Sequence, residues 1–169
     1  RADVGLSVTP PIVGRVTKVW LIAFARRYNH PDGRFAGVVS ASLPVQHFQR
    51  LLATPDLGPG GVALLRDAGH GLVARHPPID TPAGQVGAKG FSQELAEIIA
   101  SGRPSANFHS ARTADGIERT SAYRRVRAAP MHLVVGVADV VEKLVAQRLI
   151  APALRLPQPV RVVCREASP

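Results

Sequence analysis

The chain has 169 residues, 46% of them hydrophobic and 20% charged, which fits one globular domain, or one and a half small ones, and excludes a disordered segment. The net charge of +9 is spread over Arg26-Arg27, Arg124-Arg125-Arg127 and singles, with few aromatics beside them to stack bases, so a nucleic-acid partner is not indicated. The single Cys164 excludes an internal disulfide, and no apolar run reaches the roughly 18 residues of a membrane span.

Only three of the 21 basic residues are lysines (Lys18, Lys89, Lys143), a bias that fits codon usage as well as it fits an anionic partner. The chain opens on Arg1 without a signal-peptide pattern, as a soluble protein or a piece of a longer one would.

In chain order, Leu6–Thr9 is a short apolar run stopped by Pro10-Pro11. Lys18–Arg27 is β-rich, with Trp20, Ile22 and Phe24 on one face. Asn29-His30-Pro31-Asp32-Gly33 supplies a hairpin turn, and Phe35–Leu43 returns, giving a three-stranded antiparallel meander. Pro44–Ala53 carries Val45, Phe48, Leu51 and Leu52 at helical spacing, and Gly58-Pro59-Gly60-Gly61 ends this connector.

A second unit follows. Val62–Arg66 and Leu72–Arg75 are strands, and Pro77–Gly90 is a Pro/Gly-rich loop. Ser92 caps a helix that runs to Ser101, with Leu95, Ile98 and Ile99 as its stripe and Gly102 and Pro104 as its stop. Ser105–Thr113, Ile117–Arg127 and His132–Ala138 are three more strands, and Asp139 caps a last helix. The class is α+β: an antiparallel five-stranded sheet with flanking helices, preceded by a partial second sheet. The excursion between its second and third strands lies over the sheet, a place that favours a pocket.

The phrases GRFAGVVSASLP, LRDAGHGLVARHP and IERTSAYRRV, in this order, resemble the extracytoplasmic double Cache, PAS-like sensor region of bacterial diguanylate cyclases and histidine kinases. The resemblance covers roughly residues 3 to 145. It implies that residues 1–43 close a membrane-distal half and that 44–59 connect the halves. It implies further that 60–138 form a membrane-proximal half and that a helix over 139–150 leads toward the membrane. Residues 151–169 read as an irregular tail, interrupted by Pro152, Pro157 and Pro159. The opening helix and first strands of the distal half are not found in these residues, so the usual ligand pocket of that half is not complete among them. The output domain, a diguanylate cyclase or histidine kinase, would lie outside the chain, which is itself not an enzyme.

Strand alternation places Arg119, Ser121, Tyr123 and Arg125 on one face. With Arg75 they are the candidate ligand-binding residues. Arginine binds a carboxylate bidentately, so a small polar or anionic metabolite is the partner expected. The alternative makes Tyr123 a core residue and the arginines, Arg75 included, solvated charges. Trp20 either lines the remnant of the distal pocket or is a core aromatic. The six histidines show no ligand spacing, so no metal is expected, and no catalytic motif or cofactor fingerprint is present. The expected function is a non-catalytic periplasmic small-molecule sensor module of an inner-membrane signalling protein. The second reading is a ligand-free spacer or homodimerisation unit, or a truncated non-functional fragment.

Overall fold

A computed structural model describes residues 5–138; the helix expected from Asp139 and the tail over 151–169 lie outside the described residues. The first unit is a four-stranded antiparallel sheet of β1 (Leu6–Val8), β2 (Ile12–Val13), β3 (Trp20–Asn29) and β4 (Phe35–Pro44). It differs from the expected meander in one respect: β1 and β2 both pair with the same edge of β3, Val8 opposite Phe24 and Ile12 opposite Leu21. They are one strand broken by Pro10 and Pro11, which have no N–H to give the ladder. Thr9 spans the break. Its N–H donates to the Ala23 carbonyl at 3.0 Å, and its Oγ1 accepts the Ala23 N–H at 3.0 Å. On the other edge β3 pairs with β4, across a loop in which Gly33 adopts φ +84°.

Pro44 ends β4 in extended conformation and is the N-cap of helix α1 (Val45–Leu52), one residue outside the helix it was expected to begin. Helix α1 packs where the two sheets meet. Ile22 of β3 and Val45 share a core with Leu65, Val73 and Met131 of the second sheet, with Phe24, Phe48 and Leu52 against it.

The second sheet has the order β6-β5-β9-β8-β7, every neighbour antiparallel, from β5 (Val62–Asp67), β6 (Leu72–His76), β7 (Ser105–Ser110), β8 (Arg119–Arg125) and β9 (Met131–Ala138). The first and last of these strands pair at the centre, Val62 opposite Gly136. Between β6 and β7 lie the excursion and helix α2 (Gln93–Ala100). Ser92 caps α2, its Oγ accepting the Leu95 N–H at 3.4 Å, and Gly102 at φ +70° stops it. Leu95 and Ile98 press onto Tyr123 and Val134, forming a second core on the sheet face opposite α1. Strands β7 and β8 are shorter than expected. Residues 111–118 form a loop between them, because the side chains of Thr113 and Asp115 take up hydrogen bonds inside that loop.

Candidate functional site

Alternation on the second sheet sends Val62, Leu64 and Arg66 of β5 toward α2 and the excursion, together with Val134 of β9 and Ser121 of β8. A cavity of about 70 Å³ lies on this face. Its floor and walls are apolar, from Val62, Leu64, Leu95, Phe108 and Val134. Its polar lining is Arg66, Arg75 and Arg119 with Ser92, Ser110, Thr113 and Ser121. A single water needs about 10–15 Å³ on this measure, so the space admits a molecule of a few non-hydrogen atoms.

The three arginines are almost fully buried, at 4%, 8% and 3% exposure for Arg66, Arg75 and Arg119. Asp115 balances two of them. Its Oδ1 accepts Arg119 Nη1 at 2.6 Å and its Oδ2 accepts Arg119 Nη2 at 2.7 Å, a bidentate pair. Arg75 Nη2 donates to the same Oδ2, and Thr113 Oγ1 donates to Oδ1 at 2.9 Å. The Arg119 hydrogen bonds, helped by Thr113 and the Arg75 charge, hold the Asp115 carboxyl well below the ordinary carboxylate range despite its burial. Arg119 Nε also donates to the Gly60 carbonyl at 2.6 Å, tying the linker after α1 to the sheet. Gly136 makes room for this crossing: a Cβ there would stand 2.6 Å from Ser121 Oγ and 3.1 Å from Arg119 Cδ.

Arg66 is held differently. Its guanidinium donates to backbone carbonyls only, those of His70 (2.8 Å), Ala88 (3.1 Å) and Gly90 (2.8 Å), and lies 5.0 Å from the Phe91 ring centroid. Burial lowers its pKa to about 10, with Asp67 opposing and Arg75 adding to the shift. It stays charged at neutral pH. Ala88 also accepts the Leu72 N–H, so Arg66 and the edge of β6 together clasp the end of the excursion. Arg66 Nε and Arg75 Nε are buried with no acceptor among the described residues.

Of the residues expected from the sequence, Arg75, Arg119 and Ser121 line the cavity and Tyr123 and Arg125 do not. Tyr123 has the same face as Arg119 but sits under α2. It is 2% exposed, packed on Leu95 and Ile98, with its Oη 2.8 Å from His132 Nδ1. Arg125 is exposed where β8 ends. Burial, then the neighbouring His70 and Arg125, lowers the pKa of His132. Trp20 is 41% exposed, on the first sheet and away from this cavity. Sequence reasoning missed Arg66 and Asp115. The first had a signal, being in step with Val62 and Leu64. The second had none, because Ala-Asp-Gly reads as a turn. Among the described residues no cluster of three His, Cys, Asp or Glu could hold a metal, and no helix is long and apolar enough to cross a membrane.

No family model matches the chain, and no curated protein matches it in sequence. Solved structures do. The extracellular domain of the histidine kinase rpHK1S-Z16 is similar at 28% identity and a TM-score of 0.66, over 83% of this chain and 56% of that one. The periplasmic sensory domain of the Campylobacter jejuni chemoreceptor Tlp1 is similar at 13% identity and a TM-score of 0.63, over 83% and 52%. The ligand-binding domain of the Pseudomonas fluorescens chemoreceptor CtaA, solved with L-alanine, is similar at 19% identity and a TM-score of 0.56, over 82% and 56%. The chain thus spans about half the length of the structures it matches. The chain shares the fold of these extracellular, sensory and ligand-binding domains, a mixed α+β architecture of two antiparallel sheets.

Proposed function

We propose that the chain is the extracytoplasmic ligand-sensing part of a membrane signal-transduction protein, with a small molecule bound between the second sheet and the excursion. On this reading residues 1–43 belong to a membrane-distal half, 44–59 connect, and 60–138 form the membrane-proximal half. The observation that carries it is the cavity itself, lined by buried polar groups and closed by a loop clasped by one of its own lining residues, Arg66. A ligand that changed how Arg66 holds the loop would favour one loop position over another, the differential affinity that any ligand-driven switch requires. The candidate contacts are Arg66, Arg75, Arg119 and Ser121. The output, a histidine kinase, a chemoreceptor or a diguanylate cyclase, lies outside these residues.

A thermal-shift panel of organic acids, amino acids, amines and sugars tests this. A ligand at 100 times its Kd adds about 2.7 kcal/mol, a shift of several degrees. Ser121→Leu, which fills the cavity, should abolish it. A panel with no stabiliser, or hits indifferent to Ser121→Leu, would count against the reading.

A spacer and dimerisation role is the second reading. It is favoured by the apolar surface of the first sheet, where Phe35, Val38 and Val39 are 57%, 57% and 63% exposed. A monomer in light scattering at high concentration would remove it.

A further inference from the structure

We propose that His70 and His132 form a proton-operated latch on the excursion, closed while both rings are neutral and released when either takes a proton. The latch goes beyond the ligand-sensing reading and holds whether or not the cavity takes a ligand. His70 stands in the turn between β5 and β6 at φ +66°, a left-handed conformation uncommon for a residue with a side chain. Its N–H donates to the Asp67 carbonyl at 2.9 Å, which closes the turn. In that pose its ring centroid lies 5.0 Å from that of His132 on β9 and 6.2 Å from that of Phe91, the residue that follows the excursion.

The backbone of His70 reaches the loop as well. Arg66 Nη1 donates both to the His70 carbonyl at 2.8 Å and to the Ala88 carbonyl at 3.1 Å, while Nη2 donates to the Gly90 carbonyl at 2.8 Å. One guanidinium thus joins the turn that carries His70 to the end of the excursion. Moving His70 moves an acceptor that positions Arg66.

A proton on this pair is disfavoured while the latch is closed. His132 is 7% exposed, with its Nδ1 2.8 Å from Tyr123 Oη and the Tyr123 ring stacked on it at 5.7 Å. His70 Nδ1 is buried with no hydrogen-bond partner among the described residues. The charged groups around the pair are Arg66 and Asp67 from β5 and Arg125 from β8, and Phe91 brings no charge from the excursion side. Asp67 is the one acid, and its Oδ1 already accepts the Gly71 N–H at 2.9 Å. A charged imidazole here is better solvated in water than between a second imidazole and two guanidinium groups. Burial, then His70 and Arg125, lowers the His132 pKa, in the same direction. The closed form therefore binds the proton less readily than the open one, and acid shifts the balance toward opening. A ring protonated only in the open form, with the ordinary imidazole pKa of about 6.5, favours opening by roughly thirtyfold at pH 5.

Native-state amide exchange from pH 7.5 to 5, with each rate divided by the intrinsic rate at that pH, tests the latch. The reporters are Leu72 and Gly87, whose N–H groups donate to the Ala88 and Leu72 carbonyls across the clasp. Their opening should rise at least tenfold toward pH 5, with a midpoint that coincides with titration of the His70 or His132 Cε1–H signal. Amides of β3 and β4 should show no such rise. In His70→Asn, where asparagine suits the positive φ, the rise should shrink at least threefold and His132 should titrate at higher pH. Because a substitution in the turn can loosen the clasp by itself, the wild-type midpoint decides alone where a variant is perturbed. No rise, or a rise with its midpoint in the carboxylate range below about pH 4.5, overturns the latch. So does a rise that His70→Asn and His132→Gln both leave unchanged.

Discussion

Asp115→Asn is the sharpest perturbation of the site. The carboxylate faces Arg75 and Arg119, two guanidinium groups at 8% and 3% exposure, and accepts from Arg119 through both oxygens. The amide keeps the shape and one acceptor. It removes the charge and turns one acceptor into a donor pointed at a cation. Breaking a buried pair by removing one partner costs about 3–5 kcal/mol, and the acceptor that survives puts this case near about 3. With a urea slope of about 2 kcal/mol/M for a small protein, the midpoint in circular dichroism should fall by about 1.5 M. Asp32→Asn is the matched control. Asp32 meets Arg34 at the same 2.6 Å, but on the exposed β3–β4 loop, so its midpoint should stay where it is. The pH dependence carries a second signature. The Asp115 pKa is depressed in the folded protein, first by the Arg119 hydrogen bonds. Its stabilisation is therefore complete above about pH 4, the unfolded value, and is lost as pH falls toward the lower folded value. Asp115→Asn should flatten that acid limb. A midpoint loss below about 0.5 M, or an equal loss in Asp32→Asn, would refute burial of the ion pair as the source of its strength.

Gly136→Ala places a Cβ 2.6 Å from Ser121 Oγ and should cost about 1–3 kcal/mol in chemical denaturation, by pushing Arg119 off its line to Gly60. Arg66→Met removes the two carbonyl links, to Ala88 and Gly90, that hold the excursion; amide exchange at Leu72 and Gly87 should quicken at least tenfold while β9 stays protected. His132 has a folded pKa depressed chiefly by burial, so its contribution is present above about pH 6.5 and fades as pH falls through the lower folded value. Thermal melts between pH 7 and 5 should show that decline, and His132→Gln should remove it.

Much of the architecture was legible because period-2 alternation and punctuation agree. Trp20, Ile22 and Phe24 alternate along β3, and Ser92 and Gly102 bracket α2 as cap and stop. The break at Pro10-Pro11 hid β2, since two residues carry no periodicity and only Thr9 reveals that the strand resumes. The face of β8 was legible, but not which of its residues meet the cavity. That depends on where α2 lands, and it lands on Tyr123, leaving Arg119 and Ser121 beside the open space. Asp115 was out of reach because Ala114-Asp115-Gly116 reads as a turn, and its ion pairs, to Arg119 four residues on and to Arg75 forty residues back, appear only once the loop folds onto the sheet. Arg66 was within reach: a charged residue in step with Val62 and Leu64 is turned inward and needs a reason to be there.

The position of β9 has a mechanical consequence. It is the central strand, laddered to β5 on one side and β8 on the other, and it runs out of the described sheet at Ala138, opposite Arg119. Tension applied at Ala138 along the strand would load both ladders in shear, where many bonds must yield together. The residue at the loading point is braced by the same arginine that crosses the cavity to Asp115 and Gly60. Whatever tightens that arginine stiffens the anchorage, so occupancy of a space the size of a few atoms would be felt as a change in compliance where the chain leaves the sheet.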